Sequence, residues 1–207
     1  MLTANEALAR LREGNRRFAA NQTTPESVDQ ARRTALAAGQ EPFAIILGCS
    51  DSRVPAELVF DQGFGDLFVI RVAGNIVAPS QIGSVEFAAS RFGTRLVVVL
   101  GHSGCGAISA TLEEITGRAN SQSRNLRSIV NRVRPSVEPL LSGDRVHDEE
   151  TLIREAVRAN VRASVNQLRH GSELLEQLSE NAGLLVIGAE YSLETGVVTF
   201  LDNPVVA

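Results

Sequence analysis

Four short apolar runs, rich in β-branched residues, constrain the fold of this chain more than any other feature. They are PFAIILG (42–48), DLFVIRVAG (66–74), TRLVVVLGH (94–102) and GLLVIGAEY (183–191). Each is too short for a stable helix. Each is apolar along most of its length rather than at every second position, as strands buried on both faces are. Helical patterns separate them: SQIGSVEFAASRFG (80–93), CGAISATLEEITG (105–117), and a long region from about Asn120 to Asn181. Pro135, Pro139 and Gly143 are expected to break that long region. A fifth run, VVTFLD (197–202), follows SLETG and suits a hairpin with Gly196 in its turn. Strands alternating with helices predict an α/β fold. It is a single domain with a mostly parallel central β-sheet, about four parallel strands plus an antiparallel edge strand, flanked by helices.

The 207 residues suit one domain spanning the whole chain. Residues 1–40 read as an N-terminal helical arm and 41–207 as the α/β core. In the arm, Leu8, Leu11 and Phe18 recur at near-helical spacing with Asn5 as the expected cap, and VDQARRTALAAG forms a second helical pattern ending at Gly39. A net charge of −4 offers no field for nucleic acid or an anionic membrane. Aromatics are scarce, with no Trp and one Tyr, which argues against a base-stacking surface. No apolar run approaches the roughly 20 residues of a membrane span. The charged, amphipathic N-terminal segment does not read as a signal peptide, which makes the cytoplasm the expected compartment.

Function concentrates in two segments, GCSDSRVP (48–55) and GHSGCGA (101–107), each at the carboxyl end of an expected strand. Ligands of open α/β sheets bind just beyond such ends. In an extended chain Cys49, Asp51 and Arg53 point the same way. Cys49, His102 and Cys105 together form a zinc donor set of two thiolates and an imidazole, using both cysteines of the chain. Gly101, Gly104 and Gly106 permit tight paths around the ligands, and Cys105 precedes a helix whose dipole favours the thiolate. Three protein ligands leave a fourth position for water. Asp51 is either the fourth ligand or, if Arg53 takes its carboxylate in a bidentate pair, a gate beside an open site.

CSDSR and GHSGCG resemble the corresponding segments of the β-class carbonic anhydrases. The similarity extends to DQGFGDLFVIRVAGN, GSVEFAA and GAEYSLETG, and so over most of the chain. The resemblance implies one Zn2+ per chain, held by Cys49, His102 and Cys105. It implies reversible hydration of carbon dioxide to bicarbonate and a proton, by attack of zinc-bound hydroxide, with Asp51 and Arg53 as the catalytic dyad. Gln40, Phe68, Phe87 and Gly106 fall where the family lines its substrate pocket, across the interface of a homodimer or a multiple of it. N-terminal helices embrace the partner there. Phe87 stands where many members carry Tyr. A second, non-catalytic bicarbonate site of some bacterial members uses a Trp, an Arg and a Tyr. Arg71 and Tyr191 match two of these, but Ile46 occupies the Trp position.

Other functions are compatible with the same residues. The zinc site can act on CS2 or COS, the domain can be a silent bicarbonate sensor, or the two cysteines can form a thiol redox pair. The redox alternative leaves His102, Asp51 and Arg53 unexplained. His147 and His170 read as solvated, and the acids and arginines between Arg124 and Arg169 as an exposed face.

Overall fold

A computed structural model describes residues 1–23, 30–119, 123–141 and 148–201. In chain order the elements are α1 (Ala4–Ala19), α2 (Gln30–Leu36), β1 (Ala44–Gly48), α3 (Ala56–Val59) and β2 (Leu67–Arg71). A 3-10 turn (Ala73–Asn75), α4 (Pro79–Arg91), β3 (Leu96–His102), α5 (Gly106–Ile115) and α6 (Arg124–Val137) follow. The chain continues through a second 3-10 turn (Glu138–Leu141), α7 (Glu149–His170), α8 (Glu173–Ala182), β4 (Leu185–Tyr191) and β5 (Val198–Phe200). The strands form one sheet in the order β2-β1-β3-β4-β5. The first four are parallel and β5 is antiparallel to β4. No described helix is long and apolar enough to cross a membrane.

The strands are apolar throughout because both faces are covered. Ala44, Ile46, Val98, Leu100 and Ile187 point to one side, into a core shared with Leu8, Leu11 and Phe60. Ile45, Leu47, Val97, Val99 and Val186 point to the other, against Val85, Val161 and Leu168. This is the period-2 alternation of a strand, with both parities buried.

α7 approaches the sheet more closely than a side chain would allow. A Cβ on Gly101 would lie 2.5 Å from Val161 Cγ2, and one on Gly188 would lie 2.7 Å from Val161 Cγ1. Glycine in β3 and β4 therefore sets the depth of α7, near the carboxyl ends of the strands.

Several details differ from the sequence reading. Thr3, not Asn5, caps α1: its hydroxyl accepts from the Glu6 N–H, and the Glu6 carboxylate accepts from the Thr3 N–H at 2.7 Å. This is a capping box, for which Asn5 has no matching acid. Pro135 lies inside α6 rather than ending it; the helix gives way to a 3-10 turn only after Val137. The helix loses the bond that residue 135 would donate to the Asn131 carbonyl, and it runs on for only two more residues. Gly143 and His147 lie outside the described residues. His170 is exposed and pairs with Glu176 at 3.0 Å.

α1 belongs to the core of its own chain, burying Ala7, Leu8, Leu11, Gly14 and Asn15, whereas α2 buries none of its residues. Asn15 is a structural clamp. Its amide donates to the Val59 and Gly196 carbonyls at 3.0 and 2.9 Å, and its oxygen accepts from the Val198 N–H at 2.8 Å. At Gly14 a Cβ would lie 1.8 Å from the Phe60 carbonyl oxygen. Asn15→Ala is therefore expected to cost about 3 kcal/mol in urea unfolding, since each buried group left unpaired costs roughly 1–3 kcal/mol. A loss below about 0.5 kcal/mol, the level of an ordinary surface change, would show that α1 is not held this way.

Candidate metal centre

β1 and β3 are neighbours, with Gly48 opposite Leu100, so the segments that follow them open onto one crevice. Cys49 follows β1 directly, His102 is the last residue of β3, and Cys105 is the N-cap of α5. All three are buried, and their donor atoms lie within 4.8 Å of one another. The expected cluster is formed. Both cysteines are free thiols.

The imidazole is oriented for a metal. His102 Nδ1 lies 2.9 Å from the Ser103 carbonyl, which fixes the proton on that nitrogen. Nε2 then presents its lone pair, in a fully buried ring, with no hydrogen-bond partner. A buried polar atom without a partner is costly, and a metal cation at the cluster would satisfy it. The donor set of two sulfurs and one imidazole nitrogen fits zinc.

The two sulfurs compete for protons. Contact with Cys105 holds the Cys49 thiol below its usual range, while that contact and burial push Cys105 upward. The Gly74 N–H also points at Cys49 Sγ, 3.4 Å away. The backbone N–H groups of Ile108 and Ala107, in the first turn of α5, favour the Cys105 thiolate, as a position at a helix start predicts.

Asp51 and Arg53 also meet, but not through strand alternation. The chain turns after Asp51, closed by the Val54 N–H on the Asp51 carbonyl at 3.0 Å. Arg53 reaches back from this turn: Nε donates to Oδ1 at 2.9 Å, Nη2 to Oδ2 at 2.7 Å, and the Arg53 N–H to Oδ1 at 3.0 Å. Asp51 Oδ2 remains 3.9 Å from His102 Nε2, at the edge of the cluster. The Arg53 hydrogen bonds hold the Asp51 carboxyl well below the usual carboxylate range.

Three residues assigned other roles, or none, by the sequence build the frame of this site. Arg71 spends its guanidinium on backbone, donating to the Cys49 and Asp51 carbonyls at 2.9 and 2.6 Å. Ser103 fastens the His102 loop to the β4–β5 hairpin: its N–H donates to the Tyr191 carbonyl and its hydroxyl accepts from the Leu193 N–H, both at 2.9 Å. Asn160 donates to the Gly74 carbonyl at 2.8 Å. One sequence signal exists for Asn160: with Ser164, it is one of two polar residues on a helix face otherwise made of Val157, Val161, Val165 and Leu168.

Of the other expected site residues, Gly106 starts α5 beside Cys105 and opens onto an apolar groove of about 400 Å3 lined by Ala73, Ala107, Ala110 and Leu126. Of the glycines expected to shape the ligand loops, Gly104 does so with φ +63°, whereas Gly101 serves α7 and a side chain at Gly106 would meet nothing. Phe68 and Phe87 pack together at 6.2 Å, and Phe87 is 54% exposed. Phe68 pairs with Ile45, three rungs below the Gly48–Arg71 pair that adjoins the cluster. That is roughly 10 Å along the strand. Gln40 is exposed and precedes the amino end of β1. Within one chain, then, none of these three reaches the metal cluster. Ile46 is fully buried and Tyr191 packs on Phe18.

A parallel α/β sheet carrying a Cys2His cluster and an Asp–Arg pair at the ends of its central strands defines a metalloenzyme class. The family model for carbonic anhydrase matches residues 44–198, and the chain belongs to the β-carbonic anhydrases, a family of zinc enzymes. It is 38% identical over 193 residues to carbonic anhydrase 2 of Mycobacterium tuberculosis, covering 93% of this chain and 90% of that one. It is equally identical, over 188 residues, to a carbonic anhydrase of Mycolicibacterium smegmatis, covering 91% and 88%. The fold matches the β-carbonic anhydrase CafA of Aspergillus fumigatus with a TM-score of 0.75 at 25% identity, covering 96% and 90% of the two chains. It matches the β-carbonic anhydrase CcaA with a TM-score of 0.75 at 27% identity, covering 95% and 88%. The chain is thus an enzyme of the carbonic anhydrase class, and the family supports CO2 hydration.

Proposed function

We propose that this chain reversibly hydrates carbon dioxide to bicarbonate and a proton, with one Zn2+ held by Cys49, His102 and Cys105 and with Asp51 and Arg53 as gate and latch. The observation that carries the proposal is the unpartnered, fully buried Nε2 of His102 facing two buried sulfurs within 4.8 Å. Bound there, zinc supplies a Lewis acid that makes hydroxide available near neutral pH.

The protein groups do the rest. Asp51, at the edge of the cluster and ionised, accepts a hydrogen bond from the attacking oxygen and aims it at the carbon of CO2. Arg53 holds both carboxylate oxygens, which keeps Asp51 from closing the site as a fourth ligand. The apolar groove beside Gly106 suits a small apolar gas better than water. The proton leaves to solvent.

A homodimer, or a multiple of it, completes the pocket in this proposal. Among the described residues β2 is an edge strand, Phe87, Phe64 and Leu58 are exposed, and α2 reaches Phe64, whose carbonyl accepts from Arg32 at 2.9 Å. Gln40, Phe68 and Phe87 of the partner subunit would supply the walls that they do not supply to their own cluster. The part of the arm open to a partner is α2 and the outer side of α1.

The test is stopped-flow CO2 hydration at about pH 7 and about pH 8.5, with zinc quantified in the same sample. We expect near one zinc per chain and activity that rises with pH. Asp51 has a depressed pKa and is ionised at both values, so the rise reports hydroxide formation and not Asp51. Full zinc with no turnover at either pH would overturn the proposal, and turnover of CS2 or COS in the same preparation would replace it.

A further inference from the structure

We infer that Asn160 is a positioning residue for the metal centre: through Gly74 it fixes a backbone N–H on the Cys49 sulfur. This inference rests on the zinc site proposed above. Gly74 and Asn75 follow one another at φ +69° and +42°, so two consecutive residues of the 3-10 turn occupy the left-handed region. The turn has one backbone bond of its own, from the Asn75 N–H to the Val72 carbonyl at 3.0 Å, but glycine moves between positive and negative φ at little cost, so Gly74 gains from further support. Two side chains of α7 hold it. Asn160 donates to the Gly74 carbonyl at 2.8 Å and Ser164 to the Asn75 carbonyl at 3.1 Å. Asn160 is 2% exposed and Ser164 4%, so neither bond is exchanged for water.

Both carbonyls are within reach only because Val161 seats α7 over Gly101 and Gly188. With the turn held, the Gly74 N–H aims at Cys49 Sγ. A hydrogen bond to a thiolate withdraws negative charge from sulfur. It therefore orients the ligand and leaves a bound cation more electron-poor, as outer partners of metal ligands do. The turn also spans from β2 to α4, so the helix that sets this bond comes from a distant part of the chain.

The experiment uses the full chain loaded with Co2+ in place of zinc, whose sulfur-to-metal charge-transfer absorption reports on the thiolates. Asn160→Ala and the near-isosteric Asn160→Leu are compared with wild type and with Thr94→Val. Thr94→Val removes a buried side-chain bond to the Pro42 carbonyl, 2.7 Å, at the opposite end of the sheet. Both Asn160 variants are expected to shift the charge-transfer band to lower energy. They should bind metal up to about 10-fold more weakly in competition with a chelator, because the Cys49 sulfur is less well oriented; losing a direct outer partner costs about 10- to 100-fold. Thr94→Val should lower the melting temperature and move neither readout. If either folded Asn160 variant keeps the wild-type band and affinity, or if Thr94→Val shifts them equally, the inference is wrong. A wild-type chain that binds no metal at all would instead overturn the zinc proposal.

Discussion

Replacing Cys105 by alanine is expected to abolish CO2 hydration and to leave the protein essentially free of zinc after dialysis. Loss of an outer hydrogen-bond partner already costs about 10- to 100-fold in metal affinity, and loss of one of three direct ligands must cost more. Cys105 is 1% exposed in a cluster with Ile108, Val133 and Val157, so alanine leaves a small cavity and no new buried polar group. Folding should therefore survive. The loss of stability should be visible mainly in the presence of zinc, because wild type alone gains from binding the metal. In excess chelator the melting temperatures of variant and wild type should nearly coincide. His102→Ala is expected to behave alike in zinc content. Retention of a full zinc equivalent by either variant would show that the metal, if any, binds elsewhere. A thiol redox function would be indicated if the Cys105→Ala effect on activity appeared without any change in metal.

Asp51→Asn should keep the zinc and lose the catalysis. The amide is isosteric but presents an N–H2 group where a carboxylate accepts hydrogen bonds, and a misplaced donor there should lower kcat/KM by about 100-fold or more. Arg53→Ala should also retain zinc and lose activity, for the opposite reason: an unlatched carboxylate 3.9 Å from His102 Nε2 becomes free to act as a fourth ligand. Neither change should matter much for stability. Arg53 is 57% exposed, and an ion pair with one solvated partner contributes little to stability. The bidentate geometry is thus better explained by control of Asp51 than by stabilisation of the fold. Asp51→Asn with kcat/KM within about twofold of wild type and full zinc would remove Asp51 from the mechanism.

Much of the core and the metal cluster was legible in the sequence. The runs at 42–48, 66–74, 94–102 and 183–191 needed only length and apolar continuity to be read as strands buried on both faces. Cys49, His102 and Cys105 stood at expected strand ends, and the geometry needed to unite them was that β1 and β3 be neighbours, which the sheet order provides. The route by which Arg53 reaches Asp51 was not legible. Alternation predicts an extended path, whereas the chain turns at Asp51–Val54 and the pairing is made inside that turn. Arg71 was misleading for a related reason. Its place in the sequence matched a bicarbonate ligand, but its guanidinium is occupied by the carbonyls of Cys49 and Asp51.

The sequence by itself determined which residues form the buried strands, which donors suit a zinc ion and which carboxylate has a cation beside it. These follow from local pattern and from the chemistry of single side chains. Only the tertiary structure decided that α1 packs on its own chain through Asn15, and that α7 reaches across 86 residues of sequence to hold Gly74. It also decided that Phe68 and Phe87 lie away from the cluster of their own chain. Those outcomes depend on distances between segments remote in sequence, set by how closely a helix can approach a glycine in a strand, and no local pattern encodes such a distance.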